Sequence, residues 1–171
     1  MHIVALKSPD SRDRRSVIHP DTVEKISTLQ GITFSFESGI GSGINISDKT
    51  FINMGLKALT RDECLSKGNL IITPTSLSLD ETVKVQSGST VLGMVNPFYA
   101  GDELKALNQS RINIVSMEFI PRITRAQKMD VLSSQANLAG YAAVLEAAQH
   151  LSSALPMMMT AAGTLKPAKV F

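Results

Sequence analysis

One short polar segment, residues 122–134, combines the side chains best suited to holding a ligand. It offers two guanidinium groups, an amide, a carboxylate and two hydroxyls, from Arg122, Arg125, Gln127, Asp130, Ser133 and Ser134. Guanidinium groups bind phosphate or carboxylate through paired N–H donors, and an amide both donates and accepts hydrogen bonds. The set therefore predicts a site for a ligand that bears an amide and a phosphate. The alternative is that Asp130 caps the start of a helix, and the two roles are compatible.

The loop after the first predicted strand is a second candidate site. It contains Arg12, Asp13, Arg14 and Arg15, and an arginine in such a loop can bind a carboxylate or a phosphate. A solvated loop that binds nothing explains the same residues equally well.

The glycine-rich residues 37–43 resemble a phosphate loop, but the spacing is wrong. The dinucleotide pattern G-x-G-x-x-G needs a third glycine where Ile44 stands, so we interpret this segment as a turn. We interpret His2, His19 and His150 as structural histidines, because they are far apart in the sequence. The sequence has no Cys/His spacing of a zinc site and no known catalytic motif, so we expect no metal.

The composition is that of one ordinary globular domain with room for a core. The net charge of +2 and the scattered basic residues argue against nucleic acid as a partner. The single cysteine, Cys64, excludes a disulfide framework and fits a reducing, cytoplasmic compartment. No apolar stretch approaches the ~20 residues that span a bilayer.

Short β-rich runs alternate with helical patterns along the chain. We predict strands over residues 2–7, 32–37, 69–73, 89–95 and 112–118, and helices over residues 20–30, 48–59 and 102–108. This alternation predicts an α/β fold with a doubly wound, mostly parallel, flavodoxin-like sheet. Ligands on such sheets bind beyond the carboxyl ends of the strands, which is where residues 122–134 would lie.

The last predicted element is a long linking helix over residues 128–151, with apolar side chains on two sides. Between Val131 and Leu165 the only formal charge is Glu146, so we expect this stretch to pack between two bodies and to self-associate when uncovered. A core helix of one domain is the alternative. We therefore divide the chain into an α/β domain, residues 1–127, and the helix with the start of a truncated domain, residues 128–171.

Three segments closely resemble the proton-translocating nicotinamide nucleotide transhydrogenase family. They are residues 121–141 (PRITRAQKMDVLSSQANLAGY), residues 156–164 (PMMMTAAGT) and residues 167–170 (PAKV). The match is to the N-terminal portion of the alpha subunit, the NAD(H)-binding component of that family. The family continues into a glycine-rich Rossmann domain, which we expect to be absent from this chain.

The resemblance implies a function and the residues that serve it. In that family NADH passes a hydride to NADP⁺ on a partner component, and the transfer is linked to proton movement through a membrane component. The resemblance implies that Arg122 and Ser133 hold the nicotinamide side of NAD(H), that Gln127 reaches toward the nicotinamide and ribose, and that Asp130 orients the loop. Gln127 and Asp130 are the expected catalytic residues, which position the cofactor rather than transfer protons.

The implied partners are the missing Rossmann half, an NADP(H)-binding beta subunit, the membrane component and a second copy in a homodimer. The implied location is the cytoplasm, or the cytoplasmic face of the inner membrane through partner subunits. We expect the chain alone to be inactive.

Two alternatives remain. Alanine dehydrogenases share this N-terminal architecture, and Arg15 matches their substrate arginine. They also need a lysine near residues 69–73 and a histidine near residues 89–95, and this chain has neither. Alanine dehydrogenase activity is therefore disfavoured. The other alternative is a non-catalytic remnant or interaction module of a truncated gene.

Overall fold

The computed structural model describes residues 1–169 and divides the chain into two units, Met1–Ile123 and Thr124–Phe171. The predicted domain boundary, after Gln127, lies slightly further along the chain. Val170 and Phe171, which we predicted to begin a further domain, lie outside the described residues.

The first unit is built on a six-stranded sheet in which every neighbouring pair of strands is parallel. The strands are β1 (His2–Ala5), β2 (Thr33–Glu37), β3 (Lys57–Leu59), β4 (Leu70–Thr73), β5 (Thr90–Gly93) and β6 (Asn113–Ser116). Their order is β3-β2-β1-β4-β5-β6. Without the short edge strand β3, this is the flavodoxin-like order 2-1-3-4-5. The predicted doubly wound parallel sheet is confirmed.

Five helices accompany the sheet of the first unit. They are α1 (Pro20–Ser27), α2 (Asp48–Asn53), α3 (Arg61–Lys67), α4 (Leu79–Thr82) and α5 (Gly101–Gln109). The predicted helix over residues 48–59 is wrong in its second half, because α2 ends at Asn53 and the chain turns through Gly55 into β3. Gly55 has φ of 91°, a left-handed conformation that suits glycine and interrupts a helix.

The strand β1 separates two apolar cores, because its side chains alternate between the two faces of the sheet. Ile3 and Ala5 belong to the core that contains Phe36 and Phe51, whose rings pack with centroids 5.3 Å apart. Val4 and Leu6 belong to the opposite core with Leu65, Ile71 and Val91. Burial on both faces explains why these strands read as continuous apolar runs rather than as alternating patterns.

The second unit contains the long helix α6 (Val131–His150) and an antiparallel hairpin of β7 (Met158–Thr160) and β8 (Gly163–Leu165). The predicted long helix is confirmed, although residues 128 and 129 belong to the preceding 3₁₀ turn. No residue of α6 is buried. Its packing between two bodies therefore stays a prediction. The hairpin was not predicted from the sequence.

Candidate functional site

The segment that carries the predicted site folds into a 3₁₀ turn, Thr124–Met129, followed by α6. Asp130 is the N-cap of α6, and its carboxylate accepts a hydrogen bond from the Ser133 amide at 2.9 Å. Aspartate is favoured at this position because the first amides of a helix lack partners within the helix. The turn joins the helix through the Asp130 amide, which donates to the Gln127 carbonyl at 3.2 Å. The capping role proposed from the sequence is thus present.

Three of the four predicted cofactor contacts lie in the second unit. Ser133 donates its hydroxyl to the Asp130 carboxylate at 2.6 Å, so these two side chains are directly joined. The Gln127 side chain is exposed on the 3₁₀ turn. The structure therefore brings Asp130 and Ser133 together and leaves the amide of Gln127 accessible. The binding of a cofactor by these residues stays a prediction.

The fourth predicted contact, Arg122, lies at the end of the first unit and is exposed. It follows β6 and a 3₁₀ turn, Met117–Phe119, at the carboxyl edge of the sheet. Glu118 in that turn accepts hydrogen bonds from the Asn96 amide and the Ser116 hydroxyl, both at 2.7 Å. Glu118 therefore ties the loop after β5 to the segment that leads to Arg122.

An aromatic pair links the same two loops. The rings of Phe98 and Phe119 meet edge to face with centroids 5.7 Å apart, although both side chains are largely exposed. Sequence reasoning missed both this pair and Glu118. The available signal was an acidic residue directly after a predicted strand, a position at the edge where ligands bind.

The arginine-rich loop after β1 forms one wall of an open cleft of 310 Å³ within the first unit. The opposite wall is the glycine turn after β2, residues 39–43. Arg15 in this loop is held by Asp13 through a two-pronged ion pair, with both nitrogen–oxygen distances at 2.8 Å. The hydrogen bonds from Arg15 lower the pKa of Asp13 to about 2, which keeps the carboxylate ionised. Arg15 is therefore occupied within the loop.

The glycine turn is not a phosphate loop. Its Gly39 amide donates to the Asp48 carboxylate, with both oxygens at 2.9 Å. A carboxylate thus occupies the donor that a phosphate loop would present to its anion. Gly43 packs closely against Arg14, since a Cβ at residue 43 would lie 2.7 Å from the Arg14 Cα. The interpretation of this segment as a turn agrees with the structure.

A buried ion cluster lies at the carboxyl edge of the sheet and was not expected from the sequence. Arg61, the first residue of α3, donates to the carboxylates of Glu81 and Glu37, the latter at 2.9 Å, and to the Lys7 carbonyl at 3.0 Å. Burial would lower the pKa of Arg61, but the Glu81 hydrogen bond and the two carboxylate charges raise it above its ordinary value. The cluster fixes the ends of β1 and β2 to α3 and α4.

The histidines make contacts that suit structural roles. His2 lies 2.8 Å from the Ser35 hydroxyl and 3.1 Å from the Lys67 carbonyl. His19 caps α1, and His150 lies 3.1 Å from a glutamate one turn earlier on α6. Among residues 1–169, no group of three or more histidine, cysteine or acidic side chains could hold a metal ion. Within the same range, no helix is long and apolar enough to cross a membrane.

The fold and the segment after β6 define a doubly wound α/β domain of the kind that serves nucleotide-dependent enzymes. The chain belongs to the family described as alanine dehydrogenase/PNT, N-terminal domain, whose model matches residues 7–139.

Its relatives include transhydrogenase alpha subunits. The chain is 36% identical over 174 residues to the first portion of NAD(P) transhydrogenase subunit alpha from Rickettsia prowazekii, covering 99% of this chain and 45% of that protein. It is 35% identical over 176 residues to the protein of the same name from Rhodospirillum rubrum, covering 99% and 46%. The chain thus spans about half the length of these curated relatives.

Solved structures support the same family. The transhydrogenase of Sinorhizobium meliloti matches with a TM-score of 0.88 and 36% identity, over 96% of this chain and 50% of that one. An L-alanine dehydrogenase matches with a TM-score of 0.82 over 98% of this chain and 46% of that one, but with only 16% identity. The second match therefore shows the fold alone. Sequence identity favours the transhydrogenase members of the family.

Proposed function

We propose that this chain is the N-terminal portion of the NAD(H)-binding component of a proton-translocating transhydrogenase. In the complete assembly, hydride passes between NADH and NADP⁺, and partner components couple this transfer to proton movement across a membrane. The observation that carries the proposal is identity of 35–36% to transhydrogenase alpha subunits over nearly the whole chain. The resemblance is strongest in the segment from Arg122 to Ser133, which supplies the proposed contacts.

The side chains of this segment suit the nicotinamide end of the cofactor. A carboxamide donates and accepts hydrogen bonds, and the exposed amide of Gln127 can do both in return. The Ser133 hydroxyl donates its proton to Asp130, so its oxygen is left to accept a hydrogen bond from a ligand N–H. Arg122 completes the proposed set as a charged donor at the edge of the sheet.

The residues present do not provide for the pyrophosphate end of the cofactor. The glycine turn after β2 uses its Gly39 amide to bind Asp48, and its spacing departs from the dinucleotide pattern. We therefore assign the pyrophosphate and adenosine to a Rossmann half of the component, as in the family. The isolated chain is expected to bind NADH weakly and to be inactive.

The proposed role of these residues is positioning. The bound nicotinamides supply the hydride chemistry themselves, so the protein needs to hold the two rings in contact and to limit their motion. Asp130 stabilises the start of α6 and orients Ser133 through two hydrogen bonds. Gln127 lies on the adjoining turn, whose carbonyl accepts the Asp130 amide. No proton needs to be transferred by any of these side chains.

The proposed partners are the Rossmann half, an NADP(H)-binding beta subunit, a membrane component and a second copy of the chain. The proposed location is the cytoplasm, or the cytoplasmic face of the inner membrane through these partners.

Reconstitution tests the proposal. The chain is combined with a second polypeptide that supplies the Rossmann half, and then with the NADP(H)-binding subunit. We expect the chain alone to show no saturable NADH binding, the combined component to bind NADH, and the full set to reduce an NADP⁺ analogue with NADH. A stable complex of the two polypeptides that neither binds NADH nor transfers hydride would contradict the proposal.

A non-catalytic interaction module is the second candidate, and one observation favours it. Large apolar side chains of the second unit are exposed, among them Leu138, Tyr141, Val144, Met157 and Met159. A surface of this kind is typical of a protein–protein interface. This candidate predicts self-association without any gain of NADH binding when the Rossmann half is supplied, so the same reconstitution separates the two functions.

A further inference from the structure

The cleft beside the arginine-rich loop has the composition of an anion receptor. Its two walls are the loop after β1 and the glycine turn after β2, and both belong to the first unit. Lys7 donates to the Ser38 carbonyl at 2.9 Å at the start of the turn. Arg14 donates through Nε to the Gly43 carbonyl at 3.3 Å at its end. The two cations therefore hold opposite ends of one wall, and both line the cleft.

The acidic residues of the cleft are already engaged. Asp10 accepts three hydrogen bonds from Arg12, two from the side chain and one from the amide. Asp13 accepts the corresponding three from Arg15. These pairs occupy both carboxylates and the Arg15 fork, so the remaining positive charge comes from Lys7 and Arg14.

Lys7 and Arg14 keep most of their donors for a ligand. Arg14 uses one of its five N–H groups within residues 1–169, and it is exposed at the cleft. Lys7 uses one of three N–H groups, and its nearest carboxylate oxygen, on Glu37, is 3.9 Å away. The hydroxyl of Ser11 also lines the cleft, without a partner among the described residues.

The volume and shape of the cleft favour a compact, tetrahedral anion. A volume of 310 Å³ is at the small end of the ~300–1,000 Å³ of ligand sites. A carboxylate is best served by one planar guanidinium fork, whereas a phosphate offers oxygens in several directions to separate donors. Donors on opposite walls suit the second geometry. The close contact of Gly43 with Arg14 keeps these walls together.

We propose that the cleft between the loop after β1 and the glycine turn binds a phosphate group, with Arg14 and Lys7 as its charged contacts. The site is distinct from the proposed nicotinamide contacts at Arg122–Ser133 and does not depend on the proposed function. The phosphate can be free, or it can belong to a nucleotide. The arms of the following experiment separate these sources.

The test is an NMR titration of the ¹⁵N-labelled 171-residue chain with inorganic phosphate, at an ionic strength held constant with sodium chloride. We expect saturable shifts confined to residues 7–15 and 39–43. Arg14→Gln should weaken phosphate affinity at least tenfold. The matched control is Lys25→Gln, which removes the same charge from an exposed position of α1 outside the cleft, and its affinity should stay within twofold of the wild type.

Several results would overturn the proposal. Shifts that do not saturate, or an equal loss of affinity in the two variants, would mean general charge attraction. Tighter binding of acetate than of phosphate would assign the site to carboxylates. Parallel titrations with NADH and NADPH identify the source: tighter binding of either at the same residues indicates a nucleotide phosphate, and tighter binding of inorganic phosphate indicates the free anion. Unchanged spectra elsewhere in Arg14→Gln confirm that the variant is folded.

Discussion

Asp130 and Ser133 hold each other at the start of α6: the carboxylate of Asp130 accepts the Ser133 amide at 2.9 Å and the Ser133 hydroxyl at 2.6 Å. Both were predicted to contact the cofactor, and the structure shows that each also has a structural task. The negative charge of Asp130 lies at the positive end of the helix dipole, where it is favourable. A substitution of Asp130 therefore affects helix stability as well as any ligand.

The first prediction separates these two effects. Asp130→Ala removes the cap of α6 and should destabilise the first turn by about 1 kcal/mol, whereas Asp130→Asn keeps an acceptor and should cost less. Amide hydrogen exchange of residues 131–136 measures the change. The control is Asp102→Ala in the first turn of α5, where Asp102 makes no capping hydrogen bond. Faster exchange in Asp102→Ala than in Asp130→Ala would contradict the assigned cap.

The second prediction concerns the buried ion cluster. Arg61→Leu leaves the buried carboxylate of Glu37 without its closest cation, and should lower the free energy of unfolding by about 3 kcal/mol. Urea unfolding followed by circular dichroism measures it. Lys67→Gln is the control, because its pair with Glu63 is an exposed contact within one helix and should contribute less than about 0.5 kcal/mol. Similar losses in the two variants would show that the cluster is not a specific clamp.

The main features of the fold could be predicted because they depend on local patterns. The strands around Val4, Phe36 and Ile71 are apolar runs bounded by turn residues, and α6 is a long uninterrupted helical pattern. The hairpin β7–β8 was missed, since its strands have only three residues each. The helix α3 was missed although Thr60 and Glu63 form a capping box that the sequence displays.

The contacts of the site could be predicted only where they are local. Asp130 and Ser133 are three residues apart, so their contact follows from helix geometry. The Arg61 cluster joins loops that are far apart in the chain, and only the fold brings Lys7, Glu37 and Glu81 together. The same holds for the cleft, whose second wall comes from a different strand end. Sequence reasoning identified the arginine-rich loop but not the surface that faces it.

The third prediction is a pH dependence of stability. The pKa of Asp13 is lowered by the Arg15 hydrogen bonds from 3.8 to about 2 in the folded protein. A lowered folded-state pKa stabilises the fold above the unfolded value, and the stabilisation is lost as pH falls from about 4 to about 2. Asp13→Asn should therefore be less stable than the wild type at pH 7, and the difference should disappear near pH 2. A difference that is constant over pH 7 to pH 2 in urea unfolding would contradict this assignment.

The fourth prediction concerns the close approach of the cleft walls. Gly43→Ala places a Cβ 2.7 Å from the Arg14 Cα and should destabilise the first unit by about 2 kcal/mol, because backbone must move. Gly101→Ala is the control, since its Cβ would meet nothing within 4 Å and alanine is favoured over glycine in a helix. The control should be as stable as the wild type or slightly more stable. Equal stability of Gly43→Ala and the wild type in urea would show that the walls separate without cost.

The fifth prediction tests the proposed role of Gln127 in the reconstituted transhydrogenase. The side chain is exposed on the 3₁₀ turn, so Gln127→Ala should leave the chain folded. If the amide orients the nicotinamide for transfer, its loss should slow hydride transfer at least tenfold, about 1.4 kcal/mol in the barrier, and change the NADH dissociation constant less than threefold. Gln149→Ala, an exposed glutamine near the other end of α6, is the matched control and should change neither quantity. Single-turnover kinetics give the transfer rate, and equilibrium titration gives the affinity. An equal loss of rate and affinity in Gln127→Ala would make the residue a simple binding contact, and no loss of either would remove it from the site.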